Sequence, residues 1–452
     1  MARVVVIGGG LGGLAAAARL AKLGHAVTLL ERSSHLGGVV RTAERDDPAV
    51  GRFRWDAGPA AVTLPATLRD LFRKSGRPLE RVLELAPLPT PRRHVFSDGT
   101  ALDLPVGSRS GQRRAVEAAL GSTAGAAWEA VVDDLAPTWE LLRTRVLEVP
   151  FSGVRSLGPH GVWALAPGRS LRAFARRRLT DVRTRKLLEY PVLATGSGPA
   201  DAPSFTAVRA YVERTFGIWT CAGGFGALVD ALGQRLDERA VTVRLEAEAV
   251  AIRGDGAVSG VELRGGERLA ADVVVSGVDV RTVAKSLLAR PPRAMRRSAR
   301  TLRDPLPPPL VHVGLADAAD DLLHETVFHG DDARESPTVV VRAPDDPSLA
   351  PAGHRAVSII VHRNGGTGTT ADPLELLARR GWDIRDRVVA RVDGDATSYG
   401  PAWRGAVRGL GVARNHTAVR GLFMVGATAH PGPGVPEVLL GAAAVATEIG
   451  RA

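Results

Sequence analysis

Val4-Val5-Val6-Ile7-Gly8-Gly9-Gly10-Leu11-Gly12-Gly13, followed by the run Leu14 to Leu23 and by Ala26-Val27-Thr28-Leu29-Leu30-Glu31, decides the fold of this chain. Four consecutive apolar residues predict a short strand buried on both faces, and the glycines after it predict a tight turn. The Ala- and Leu-rich stretch Leu14 to Leu23 predicts a helix, and Ala26 to Leu30 a second strand. The glycines have separate tasks. Gly8 gives the turn its backbone freedom, Gly10 lets the main chain approach a pyrophosphate, and Gly13 lets the helix pack closely on the strand. Leu11 and Gly12 open the helix, whose N-terminus then directs its free N–H groups at phosphate. Glu31 closes the second strand at the spacing of about 20 residues where a carboxylate accepts both ribose hydroxyls, and its charge disfavours a 2′-phosphate there. Glycines alone would be weak evidence. A strand before them, a helix after them and an acid at the next strand end together mark a dinucleotide site.

The residues after Glu31 separate nicotinamide from flavin. Arg32-Ser33-Ser34-His35-Leu36-Gly37-Gly38-Val39-Val40-Arg41 resembles the second pyrophosphate loop of the FAD-dependent amine oxidase and phytoene desaturase superfamily. Arg41 offers a fork of donors suited to phosphate oxygens, the alternative being a surface turn with a solvated arginine. Further blocks carry the likeness along the chain: Phe53 through Trp55-Asp56-Ala57-Gly58-Pro59, the Asp98-Gly99-Thr100 hairpin, Phe216-Gly217-Ile218-Trp219 with Gly223-Gly224, Ala271 to Ser276, and Asp346 to His354. The last block, Gly426-Ala427 with His430-Pro431-Gly432 and Gly434-Val435-Pro436, is the most specific. On these motifs the chain is similar to the phytoene desaturase family of flavoproteins, whose members dehydrogenate or isomerise carotenoids and related polyenes.

That resemblance implies an α/β fold in which a Rossmann-like FAD-binding domain of the glutathione reductase type is interwoven with a discontinuous α+β substrate domain. It implies FAD as cofactor, with the segments carrying Gly8 to Gly13, Glu31, Arg32, Gly38, Arg41, Gly58 and Pro59 along it. Val250 would offer a backbone amide to the adenine. Gly426 and Ala427 would lie beside the ribityl and diphosphate portion, and Gly434, Val435 and Pro436 at the isoalloxazine. The helix that follows would aim its dipole at the ring's pyrimidine end. Amine oxidases usually carry an acid where this chain has Ala427, and carotenoid desaturases commonly have a small residue where it has Glu437. Glu437 reads either as a general base for the proton lost opposite the hydride or as an acid favoured by the helix macrodipole. His430 lies near the flavin by family analogy, or serves packing within its Pro-Gly turn.

Boundaries follow the punctuation of the chain. The FAD-binding domain is read over 1–76, 222–285 and 401–452, and the substrate domain over 77–221 and 286–400. Within the first substrate segment, helical periodicity runs from Gln112 to Val149, with a break expected at Pro137, and again from Ser170 to Tyr190.

Composition bounds the rest. The chain has 452 residues, is 45% hydrophobic and carries a net charge of +11, with arginine far outnumbering lysine. The bias reads as codon usage of a GC-rich genome or as a basic surface for an anionic membrane. Scattered arginines without a reader motif exclude nucleic acid as a partner. A single cysteine, Cys221, rules out disulfides within the chain and suits a reducing cytoplasm. The expected location is cytoplasmic, with the inner face of the membrane as an option for peripheral contact through Arg172, Arg176, Arg177 and Arg178. The start of the chain is itself a strand rather than a signal peptide, and no window has the length of a transmembrane helix. Histidines without ligand spacing predict no metal site. Nothing in the sequence signals an oligomeric state.

The function expected is transfer of hydride from a C–H bond of a lipophilic, carotenoid-like polyene to flavin N5. An amine or other small-molecule oxidase is the first alternative, and a non-redox polyene isomerase using FAD the second.

Overall fold

A computed structural model describes residues 1–149, 153, 157–165, 168–305, 307–316, 322–331, 336–362, 371–394, 400–406 and 409–452. Its centre is a five-stranded parallel sheet in the spatial order Leu422–Met424, Val273–Ser276, Arg3–Ile7, Ala26–Leu30 and Thr242–Arg244. Three distant stretches of chain therefore build one sheet. Helix Leu11–Lys22 crosses from the first strand to the second, and its Ala15 to Ala18 are wholly buried. Side chains this small let it nestle against helices Gly226–Glu238 and Val435–Ile449, which share its apolar cluster. The other face of the sheet is covered by a three-stranded meander whose Ile252, Val261 and Leu263 pack on Val5, Ile7 and Val274.

The second lobe is a seven-stranded sheet in the order Val388–Gly394, Leu310–Ala316, His354–His362, Thr338–Arg342, Glu325–Phe328, Arg92–Val95 and Ala101–Leu104. Alternation gives its two faces opposite characters. Val313, Val341, Ile359 and their neighbours form a dry layer under helix Pro373–Ala378. The opposite face carries Arg92, Glu325, Arg342 and a group of histidines.

The expected hairpin at Asp98-Gly99 joins Arg92–Val95 to Ala101–Leu104. The expected break at Pro137 is displaced. The chain interrupts its helices at Gly121 and at Asp134–Leu135, while Pro137 sits in the first turn of helix Ala136–Leu142, where a missing N–H costs nothing. Likewise Ser170 to Tyr190 divides into helices Leu171–Arg178 and Val182–Leu193, the second capped by Asp181. Hairpin Thr42–Asp47 with Gly51–Asp56 links the lobes: Trp55 donates its indole N–H to the Val313 carbonyl at 3.1 Å, and Phe53 lies under Gly314.

Candidate active site

The glycine turn has the geometry its sequence predicts. Gly8 has φ +97°, a region that favours glycine, and a Cβ on Gly13 would overlap the Gly8 carbonyl, so helix and strand meet backbone to backbone. A Cβ on Gly10, by contrast, would meet nothing within 4 Å. The helix begun at Leu11 has no side-chain cap, leaving its first N–H groups directed into that space. Gly37 donates to the Gly9 carbonyl at 2.8 Å and Gly38 abuts Gly10, so the second loop lies directly along the first.

Glu31 reaches back over the turn. Its carboxylate accepts from Gly9 N–H at 2.6 Å and from the Ser33 N–H and hydroxyl at 2.9 and 2.8 Å. Burial raises its pKa, but the hydrogen bonds from Ser33 and Gly9 outweigh this and hold it below the usual range. Ala247 N–H donates to the Glu31 carbonyl, which brings the next strand alongside. On that strand Val250 is the extra residue of a bulge between Ala249 and Ala251 and falls outside the pairing register. Arg41 is half-buried, and its side chain makes no hydrogen bond or ion pair with the described residues, whereas Arg32 is exposed.

The rear of the chain meets the front here. A Cβ on Gly12 would lie 2.8 Å from Gly426 N, so the C-terminal block packs against the first turn of the N-terminal helix. Gly426 and Gly434 have φ +90° and +130°, and Val435 and Pro436 open helix Val435–Ile449. Glu437, in its first turn, folds its carboxylate over Gly434 and faces Arg209 at 3.7 Å. His430 is buried enough to lower its pKa, and its Nε2 donates to the Val146 carbonyl at 2.8 Å.

Beyond this block opens a largely apolar cavity of about 390 Å³, with Trp139, Leu142, Phe205, Val212, Trp403 and Pro433 among its walls. Both His430 and Glu437 reach it. The blocks Gly58-Pro59, Gly223-Gly224 and Asp346 stand on the lobe junction: Asp56 accepts from Phe225 N–H and Asp346 from Gly223 N–H, each at 2.7 Å. Burial pushes Asp56 up to about 6 against the opposing hydrogen bond from Phe225 and the charge of Arg342.

Sequence reasoning missed the polar face of the large sheet. Glu325 lies between Arg92 at 2.6 Å and Arg342 at 3.0 Å, and Arg92 also binds Glu213 at 2.6 Å, which lines the cavity. Arg342 donates to the Gly58 carbonyl at 3.2 Å, tying this network to the lobe junction. Burial raises Glu325, but the two guanidiniums overcome it and keep the carboxylate ionised. The histidines, dispersed in sequence, gather around this pair. His94 and His329 stack at 5.1 Å beside Tyr190 and His362, and burial brings His94 down to about 3 and His324 and His362 to about 4. No group among the described residues has the makings of a metal site. Cys221 is buried in the apolar cluster of the nucleotide lobe, as a packing residue should be.

The family model of flavin containing amine oxidoreductases matches residues 11–355. The chain belongs to this family. It is an FAD-dependent oxidoreductase. Among similar sequences, a 4,4'-diapolycopene oxygenase of Methylomonas sp is 29% identical, covering 86% of this chain and 80% of that protein. A hydroxyneurosporene desaturase of Cereibacter sphaeroides is also 29% identical, over 97% and 95% of the two. A solved oxidoreductase from Methanosarcina mazei shares the fold, with TM-score 0.66 at 18% identity over 98% of this chain and 99% of that one.

Proposed function

We propose that this flavoprotein dehydrogenates a long apolar polyene, extending its conjugation by one double bond. The observation that carries the reading is the apolar cavity against the Gly434 block, bordered by two tryptophans and by no lysine among its described lining residues. Such a wall suits a substrate recognised by shape and length rather than by charge. The relatives named for diapolycopene and hydroxyneurosporene support the same substrate class.

The residues present fit FAD. Gly10 leaves open the space a pyrophosphate needs, Gly8 and Gly13 hold the turn, and Leu11 and Gly12 present the helix N-terminus. Glu31 is the ribose partner, Val250 the adenine partner, and Arg41, with Arg32 and Gly38 on its loop, the diphosphate partner. Gly58 and Pro59 border the ring, and Gly426, Ala427, Gly434, Val435 and Pro436 frame the ribityl chain and the isoalloxazine. When bound, FAD supplies a hydride acceptor at N5. The protein's part is to hold substrate against that atom and to keep water out. His430 fixes the turn Arg143–Leu147 to the C-terminal block, and Glu437 is a charged group on the cavity wall. In this division of labour residues 1–76, 222–285 and 401–452 carry the cofactor, and 77–221 and 286–400 the substrate.

We also propose peripheral contact with an anionic membrane beside the cavity. Trp163 is 80% exposed on helix Gly158–Ala164, while its neighbours Leu157, Val162 and Leu165 line the cavity. Arg176 and Arg177 follow on an exposed face. No helix among the described residues is long and apolar enough to cross a membrane.

Anaerobic mixing with a carotenoid precursor tests the main reading. Loss of the visible flavin band with a product two hydrogens lighter is expected. An unchanged mass would make the reaction an isomerisation, and an unbleached flavin across a panel of polyenes would end the proposal.

A further inference from the structure

Among the described residues, three charged side chains reach the wall of the largely apolar cavity: Arg209, Glu213 and Glu437. Glu213 is committed to Arg92 at 2.6 Å. Arg209 and Glu437 have only each other. Their closest approach is 3.7 Å, beyond hydrogen-bonding distance, and neither makes a hydrogen bond to the described residues. The hydroxyls of Thr195 and Thr206, on the same wall, are spent on the backbone carbonyls of Val192 and Pro203. One place on the wall therefore offers both an uncommitted fork of donors and an uncommitted acceptor.

We infer that Arg209 and Glu437 form a specificity site for a neutral hydroxyl at one end of the polyene, an assignment that rests on the substrate class proposed above. The chemistry selects among end groups. A hydroxyl accepts from the guanidinium and donates to the carboxylate, so it satisfies both partners across the gap. A carbonyl engages Arg209 alone. A carboxylate meets repulsion from Glu437. A hydrocarbon end strips water from the ion pair and returns no hydrogen bond, a cost that turns a polar pair into a filter. Elements from both ends of the chain supply the site: Arg209 comes from helix Val208–Phe216 of the substrate lobe and Glu437 from the first turn of the last helix. Its place beside Gly434 puts the recognised end next to the C-terminal block and the rest of the polyene along Trp139 and Trp403.

The experiment compares two polyenes of equal carbon number, one a hydrocarbon and one bearing a terminal hydroxyl, titrated into the FAD-loaded protein. Quenching of tryptophan fluorescence reads binding, and anaerobic bleaching reads turnover. The wild type should bind the alcohol about tenfold more tightly than the hydrocarbon. Arg209→Leu and Glu437→Leu should each bring the two within about twofold, chiefly by weakening the alcohol, while Arg209→Lys restores part of the preference. Retained hydrocarbon binding and a full complement of bound FAD show that the variants are folded. Equal affinity of the wild type for both compounds overturns this assignment and leaves the polyene reading standing, as does a Leu variant that keeps the full preference. Failure of both compounds to quench overturns the polyene reading, and the assignment falls with it.

Discussion

The nucleotide lobe and the substrate lobe solve the same problem, placing polar groups inside a protein, by opposite means. Around Gly8 to Gly13 the polar groups are backbone N–H and C=O, positioned by side chains that are absent, and the turn itself is set locally, with Gly12 then meeting Gly426 of the C-terminal block. Around Glu325 they are charged side chains brought together from the strands carrying Arg92 and Arg342 and from the helix carrying Glu213. The first arrangement leaves open space beside Gly10, where an added Cβ would meet nothing within 4 Å. The second leaves none, because each charge already has its partner. A cofactor site built from backbone tolerates no added atom, whereas a charge network tolerates no removed one.

The sharpest way to break this comparison is to add a single side chain to each of two glycines. Gly13→Val should give colourless protein, since any Cβ there overlaps the Gly8 carbonyl. Gly10→Ala should keep the thermal stability of the apoprotein yet weaken FAD by about tenfold or more, because the new methyl enters space that only a ligand uses. Absorbance of the purified proteins and FAD titration read both outcomes. If Gly10→Ala unfolds the protein, the space beside Gly10 serves packing instead.

Removal is the corresponding test in the other lobe. Glu325→Ala leaves Arg92 and Arg342 buried without their shared carboxylate and should cost about 3–5 kcal/mol in urea unfolding, with little direct effect on the affinity of the folded fraction for FAD. A loss below about 1 kcal/mol would mean that water reaches the arginines.

Asp56 at the lobe junction gives a pH-dependent contrast. Its folded pKa of about 6 lies above its ordinary value, so its contribution favours folding below about pH 4 and is lost as pH rises through 6. Raising the carboxyl from its ordinary value to about 6 corresponds to about 3 kcal/mol. The difference in unfolding free energy between wild type and Asp56→Asn should change by that order between pH 4 and 7, and a flat difference would place the carboxyl in contact with solvent. The smallest effect is expected at the surface: Trp163→Ser should reduce flotation with anionic vesicles by about tenfold at low salt, without altering the flavin spectrum.

The same contrast explains what the amino-acid sequence discloses. Gly8, Gly10, Gly13 and Glu31 are legible because turn, helix start and strand end are local events, and local events leave local patterns. Strands Arg3–Ile7 and Ala26–Leu30 are legible for the same reason, as short apolar runs on either side of the turn and helix. Glu325 was not. It sits in the short strand Glu325–Phe328, between His324 and His329, and its role depends on parallel pairing with Arg92–Val95 more than two hundred residues earlier. The one available signal was an acid inside a β-prone run, which by itself reads as an exposed edge. Pro137 misled because a proline stops a helix from within but begins one equally well. Glu437 was visible as a departure from the family pattern, but its partner Arg209 emerged only when two helices from different lobes were brought face to face.

The contact of Gly12 with Gly426 has a consequence for synthesis. The turn before helix Leu11–Lys22 is made more than four hundred residues ahead of the wall it leans on. A nascent chain therefore carries only half of this contact until Gly426 is made, so that products arrested before it should stay uncoloured however well their early strands have paired.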